Sequence, residues 1–326
     1  MKSNGITPSI LWWFGLLSMI GMLMHINLID SPNYTNQQEL HYQIVTHSAD
    51  APYQYRILQP IIVDTLLKFS GAETTGSVYK FVFLGGYAAI RFLAIFTTFV
   101  AVFFSLRLTW AIETSVFATT ALAAFIPYTY RYYYYQPTSV LEMAFFGLGL
   151  LAILTRTPWA LLPIVAIGTF NRETMCFIPF AYFVFWLPKL RVKEWVWLVV
   201  SAVAWVLVFW GLRMLWPATK SLLDISHYIS SNLRLTRGSL DVLVILSPAI
   251  IIVFNAKKIP AQYLRLALCS VPWVVLHFCT ALWYEIRYYM PVLIWFLPGI
   301  LVAFSEKYND RDGEIFAKQT VKDEIC

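Results

Sequence analysis

Four arginines have the types of neighbours that chemistry at a membrane edge would need. Arg56, Arg131 and Arg287 close the strings Tyr-Gln-Tyr-Arg, Tyr-Thr-Tyr-Arg and Tyr284-Glu-Ile-Arg, and Arg172 sits in Asn-Arg-Glu-Thr, each at or beside the border of a long apolar block. A planar guanidinium matches two phosphate oxygens with parallel N–H donors, so several of them converging would hold a phosphate diester or pyrophosphate. Taken one at a time, each arginine equally suits snorkelling to lipid headgroups. Arg172 and Arg287 stand out because each has an acidic neighbour, Glu173 and Glu285, in apolar surroundings. Tyr55, beside Arg56, and Tyr284, in the Arg287 string, are supporting residues.

Carboxylates able to take a proton from a hydroxyl come in the polar interval between the first two apolar blocks. Asp30 stands where the first block ends, and Glu39 and Asp50 follow. A carboxylate at such an edge serves as a general base if it reaches the acceptor; Asp-Ser-Pro is also an ordinary turn opening. Asp30 and Asp50 are the candidate catalytic residues. His41 and His47 read as surface residues, and Glu39 as the polar face of a small helix. Glu142 and Asp241 each follow a serine near a helix start and fit N-terminal capping. Arg91 and His277 lie deeper in apolar blocks, where a polar group pairs or lines a cavity; His277 shares a helical face with Glu285. The tyrosine run at 132–135 suits either an interfacial belt or stacking on a sugar ring.

The elements that must carry these residues are hydrophobic helices. Of 326 residues 59% are hydrophobic, 17% aromatic and 13% charged, against about 25% charged in a soluble domain, and the mean hydropathy is +0.63. At about 20 residues per crossing, about ten candidate spans appear, near 10–29, 79–106, 110–127, 138–155, 158–170, 174–188, 195–213, 240–256, 262–282 and 288–304. The fifth and sixth are short enough to form a broken or re-entrant pair. Open strands would leave backbone groups unpaired in lipid, so the expected fold is all-α, a polytopic helical bundle. It forms one domain over 1–306, with a charged cytoplasmic tail at 307–326. The first block lacks a cleavage signature and reads as a retained span.

With Lys2 in the cytoplasm, Arg107, Arg156, Lys189, Arg191, Lys193, Lys257, Lys258 and the tail share that side, a modest positive-inside bias. The candidate chemistry then emerges on the extracytoplasmic face, with both termini cytoplasmic. The first outer loop spans about 30–56 and leads into an interfacial helix near 56–69, in which Arg56, Asp64 and Lys68 face away from Ile57, Leu58, Ile61, Ile62, Leu66 and Phe69. The net charge of +6 is scattered between spans and lines no face, so nucleic acid is excluded as a partner. The four cysteines have neither metal-ligand spacing nor a disulfide framework, and no metal site is read.

This order of parts resembles the GT-C class of polytopic glycosyltransferases: a first span, an acidic residue at its exit (Asp30), an outer loop with two flat helices, Tyr-Arg-Ile-Leu-Gln-Pro at 55–60, and many short-looped helices. Asn171-Arg-Glu-Thr174 and Glu285-Ile-Arg-Tyr-Tyr-Met-Pro291 are similar to motifs of bacterial membrane proteins related to that class. The resemblance implies transfer of a sugar from a polyprenyl-phosphate donor in the inner or plasma membrane, for cell-envelope polysaccharide. It makes Asp30 the first-loop acid and Arg56, Arg172 and Arg287, with Arg131, the phosphate-binding residues. It names no cofactor and leaves room for a divalent cation. With no large soluble domain expected after the last helix, the implied acceptor is a lipid-linked glycan or polysaccharide. A transporter or flippase for lipid-linked saccharides, which would place ionisable groups near mid-membrane, and a polysaccharide polymerase are the alternatives.

Overall fold

The computed structural model describes residues 8–71, 76–130, 138–218, 220–234, 239–282 and 285–305. Arg131, the tyrosine run at 132–135, Tyr284 and the tail at 307–326 lie outside the described residues.

Among the described residues every regular element is helical, as expected of a chain this apolar, and the one isolated backbone bridge joins Ala51 to Ser221. α1 (Pro8–His25) widens into a π-helical turn (Ile26–Asp30), and α2 (Tyr34–Val45) and α3 (Leu58–Ser70) fill the first polar interval. Then follow α4 (Ser77–Arg107), α5 (Ile112–Phe125), α6 (Thr138–Leu154), α7 (Leu161–Asn171), α8 (Phe177–Trp186) and α9 (Val192–Leu215). The last elements are α10 (Ile225–Leu233), α11 (Ser239–Phe254), α12 (Ala261–Leu268), α13 (Ser270–Thr280) and α14 (Met290–Phe304). Every apolar block expected from the sequence is therefore helical. Four helical stretches are long and apolar enough to cross a hydrocarbon layer: Pro8–Asp30, Ser77–Arg107, Val192–Leu215 and Ala261–Thr280. The other apolar helices are shorter.

The core explains why these helices associate. α4 runs through the middle against α1, α5 and α6, burying Ile95, Phe99, Val102, Phe103 and Leu106. Close approach of α6 to α8 depends on Gly149, where an added Cβ would stand 2.6 Å from Ile178 Cγ2. An aromatic column joins α6, α8, α13 and α14: Phe146 lies 5.0 Å from Trp273 and 4.9 Å from Trp295, and Phe177 lies 5.1 Å from Trp273, between ring centroids. Outward faces remain strongly apolar, including Trp12, Leu16 and Leu23 on α1 and Val199, Leu207 and Trp210 on α9. Apolar area this continuous is what a bilayer covers and water does not tolerate.

The bundle has two chemically different ends. At one, Arg156 adopts a left-handed backbone (φ 54°) after α6, where its guanidinium pairs with Glu194, bonds Lys189 O at 2.6 Å and stacks 4.3 Å from the Trp186 ring centroid. Glu194 also accepts from the Arg191 backbone N at 2.7 Å, which starts α9. Arg107 closes α4 at the same end, bonding Trp110 O at 2.6 Å. Counting from Arg107 at about 1.5 Å per residue, Arg91 lies about 24 Å along α4, close to the far side of a hydrocarbon layer about 30 Å thick.

At the other end sit α2, α3 and α10. α3 packs Val63 and Leu67 on Phe83 and Tyr87 of α4, while Ile61, Ile62, Leu66 and Phe69 stay exposed. The expected Asp64–Lys68 pair forms at 2.6 Å, and Gly71 (φ 62°) terminates the helix in the left-handed conformation that glycine adopts without strain. The first polar interval thus holds two helices; α3 starts at Leu58, so Arg56 and Ile57, which the expected helix near 56–69 sets on opposite faces, precede it and are both buried. α7 and α8 are two separate short helices joined through the single 3-10 turn Glu173–Cys176.

Candidate functional site

The turn between α7 and α8 sets the site. Arg172 leaves the helical region (φ −164°, ψ 139°) and Glu173–Cys176 makes a single 3-10 turn, so consecutive side chains are thrown in different directions. Asn171 fixes the turn: its Nδ2 donates to Thr138 O at 3.0 Å, and Gln59 Nε2 donates to its Oδ1 at 3.1 Å, tying α6, α7 and α3 together. Trp205 of α9 donates to Glu173 O at 2.7 Å. Arg172 is buried and pairs with Glu142 of α6, which also accepts from Thr174 Oγ1. Glu142 is therefore the counter-charge of Arg172, in place of the capping role its spacing from Ser139 suggests. Glu173, the sequence neighbour of Arg172, turns instead to Arg56, with 3.5 Å between Arg56 Nη2 and Glu173 Oε1.

These residues line an open cavity of about 570 Å³, whose walls include Tyr53, Tyr55, Arg56, Arg172, Glu173, Arg213, Lys220, His277 and Tyr288. That volume lies in the range of small-molecule sites, roughly 300–1,000 Å³. Arginines and aromatic rings are interleaved throughout. The Arg172 and Arg287 guanidinium carbons lie 4.7 and 4.9 Å from the Tyr288 ring centroid, Arg56 lies 5.6 Å from Tyr53, and Arg213 lies 4.2 Å from Tyr55 and 3.5 Å from Phe209. Stacking fixes the plane of a guanidinium and leaves its N–H edge for a ligand. Tyr288 is itself held from behind: its carbonyl accepts from Trp273 Nε1 at 2.7 Å, and its ring lies 5.2 Å from that of His277. His277, stacked 4.5 Å from Trp273, belongs to both the aromatic column and the cavity wall.

Of the sequence candidates, Tyr55, Arg56, Arg172, Glu173 and His277 come together on this one cavity. Arg287 is buried beside it, paired with Glu285 and sharing Tyr288 with Arg172. Asp50 lies on an adjoining groove with Glu39 and Asn36, which Tyr53 and Leu222 separate from the main cavity. Asp30 occupies a separate, tight niche. Both of its oxygens take Arg91, at 3.3 Å for Oδ1, Gln37 Nε2 donates to Oδ1 at 3.0 Å, and His25 Nδ1 stands 3.3 Å from Oδ2. The space beside it measures about 30 Å³, enough for a water or two and no substrate, since one water needs about 10–15 Å³ on that measure. Arg56 and Tyr53 border both spaces.

His41 corrects the reading of it as a surface residue. α2 folds down on α4, burying the imidazole against Phe83 and within 2.9 Å of Tyr87 Oη. Burial holds its pKa down at about 4. His47 does stay exposed, stacked 4.3 Å from Trp216. Asp224 caps α10, accepting from His227 N at 3.0 Å and Ser226 Oγ at 2.7 Å, and those bonds lower its pKa.

Arg213 and Lys220 are cavity residues that sequence reasoning missed. Arg213 ends α9, where a snorkelling cation is ordinary, and Lys220 lies in a loop whose path has no local signature. The segment is brought in by the Ala51–Ser221 bridge, with Ala51 N to Lys220 O at 2.9 Å and Leu222 N to Ala51 O at 3.0 Å. Among the described residues no group of three or more His, Cys, Asp or Glu is placed to hold a metal ion. No protein-family model, no curated protein and no solved structure matches the chain.

Proposed function

We propose that the chain is a membrane-embedded, GT-C-like glycosyltransferase of about ten spans, counted at about 20 residues per crossing. It moves a sugar from a polyprenyl-phosphate donor to a hydroxyl of a lipid-linked glycan or polysaccharide. The observation that carries the reading is a cavity at one end of the bundle in which Arg172 of the α7–α8 turn, Arg213 of α9 and Arg56 of the first polar interval meet stacked tyrosines and, among the described residues, one carboxylate, Glu173. Cation-rich walls suit a departing phosphate, aromatic faces suit a sugar ring, and surrounding apolar helices suit a prenyl tail.

The depth of the site supports the same reading. Pro158–Asn171 and Glu173–Trp186 are each only about 21 Å long at the α-helical rise, so the turn that joins them lies below the rim of a layer about 30 Å thick. In that recessed position the Arg56 and Arg172 charges are screened less than at a surface, and stabilisation of charge developing on the leaving phosphate becomes the largest catalytic contribution. The cavity occupies the end opposite the Arg107, Arg156 and Arg191 cluster, which positive-inside bias assigns to the cytoplasm; the active face is then extracytoplasmic.

In the transfer, the acceptor oxygen forms its bond to the anomeric carbon as the bond from that carbon to the phosphate oxygen breaks. The electron pair leaves with the phosphate and the proton passes to a carboxylate. Glu173 is the carboxylate on the cavity wall and is assigned that base role. Asp30, in its separate niche with no room for an acceptor, instead holds Arg91 and the end of α1 in place. A transporter would need its ionisable groups midway along the helices, whereas the Asp30–Arg91 and Arg172–Glu142 pairs and Arg56 gather at one end.

The test is to incubate the purified protein in detergent with a panel of labelled polyprenyl-phosphate sugars and follow release of the carrier lipid. Turnover of at least one donor is expected, and Glu173→Gln should slow it by at least about a hundredfold, the usual worth of a positioned base. Turnover unaffected by Glu173→Gln would remove that residue from the chemistry.

A further inference from the structure

The floor and the mouth of the cavity differ in charge balance. On the floor, Arg172 is offset by Glu142 and Arg56 by Glu173. At the mouth, half-buried Arg213 and exposed Lys220 share the wall, and among the described residues neither has a carboxylate within ion-pair distance. Arg213 is nonetheless held in place: its guanidinium is stacked on the rings of Tyr55 and Phe209, and Nη1 donates to Phe209 O at 3.0 Å. The Lys220 segment is held as well, by the backbone bridge to Ala51 and by Ala218 N, which donates to Tyr55 Oη at 3.4 Å. Tyr55 therefore serves both: its ring lies under the Arg213 guanidinium and its hydroxyl accepts from Ala218 N, two residues before Lys220. A stacked guanidinium, with Glu173 already shared between Arg56, Arg172 and itself, and an exposed ammonium on an anchored backbone leave positive charge on the cavity wall that an oxyanion completes.

We propose that Arg213 and Lys220, set by Tyr55, form a second anion subsite at the cavity mouth that takes an acidic group, phosphate or carboxylate, carried by the acceptor. The assignment of that group to the acceptor rests on the glycosyl-transfer reading; the subsite itself does not. An acceptor so held would present its hydroxyl to the floor, where Arg56 and Arg172 face the donor phosphate.

The test measures binding of inorganic pyrophosphate and, in a second arm, of glucuronate to the full chain in nanodiscs of neutral phosphatidylcholine. Arg213→Gln and Lys220→Gln should each weaken the preferred anion by about tenfold, the loss of one directed charge contact, whereas Arg213→Lys should lose less. The arm that responds identifies phosphate or carboxylate as the recognised group. Unchanged affinity for both anions in both glutamine variants overturns the proposal. Lys220 is exposed, so its variant tests the subsite even if Arg213→Gln fails to fold. If the wild type turns over no donor yet binds pyrophosphate or glucuronate in a manner sensitive to Arg213 and Lys220, the glycosyl-transfer reading fails and the subsite stands. If donors are turned over while neither residue affects anion binding, the subsite falls and the transfer reading stands.

Discussion

Glu142 and Arg172 come from helices thirty residues apart in sequence and meet with side chains 0% and 3% exposed. Neither charge has water to fall back on. Removing one partner of such a pair costs about 3–5 kcal/mol, because the remaining charge stays buried. Here the lower bound applies, since Thr174 still serves Glu142 and the Tyr288 face still serves Arg172. We therefore expect Glu142→Gln and Arg172→Met each to destabilise by about 3 kcal/mol, and the double variant by about 3 kcal/mol as well, instead of the roughly 6 kcal/mol of independent sites. The assay is reversible unfolding in mixed micelles by denaturing-detergent titration, run as a double-mutant cycle with near-ultraviolet circular dichroism as the probe. A coupling below about 0.5 kcal/mol, the scatter of independent sites, would refute the pairing and with it the argument that Glu142 positions Arg172.

Stability should also fall in mild acid through His41. Its neutral form is favoured in the fold, with a pKa of about 4 against 6.5, so the unfolded chain binds the extra proton first, and stability is lost as pH falls from about 6.5 towards 4, by up to about 3 kcal/mol. Melting curves between pH 7 and 5 should show a shallower loss in His41→Gln than in the parent; equal slopes would remove His41 from the effect. Gly149→Ala should cost about 1–3 kcal/mol by overpacking, because the new methyl meets buried Ile178 at 2.6 Å. A melting temperature equal to that of the parent would mean that α6 and α8 separate without penalty.

What could be read from the chain was whatever repeats locally. Hydrophobic runs marked every apolar helix, helical spacing within α3 marked Asp64 and Lys68 as a pair, and arginines at block borders pointed to one end of the bundle. Partnerships between helices have no such signature. Arg172 was matched to adjacent Glu173, but the extended backbone at Arg172 turns the two apart, to Glu142 and Arg56. Asp30 stands at the end of an apolar block with no cation beside it in sequence, whereas Arg91, sixty-one residues on, takes both of its oxygens. His41 looked exposed because α2 is polar overall; it is buried because that helix lies over the aromatic cluster on α4. Lys220 reaches the cavity through a loop pairing with Ala51 that no local pattern marks, and Arg213 because the last turn of α9 packs on Tyr55.

The central claim is that cations from separate segments make one anion-binding cavity at one end of the bundle. The most direct measurement is a cryo-electron microscopy map of the protein in nanodiscs with a short-chain polyprenyl-phosphate sugar. The account predicts phosphate density against Arg56 and Arg172, with the sugar beside the tyrosine faces and the prenyl chain leaving between helices. Density for the phosphate on an outer helix face, away from both arginines, would contradict it.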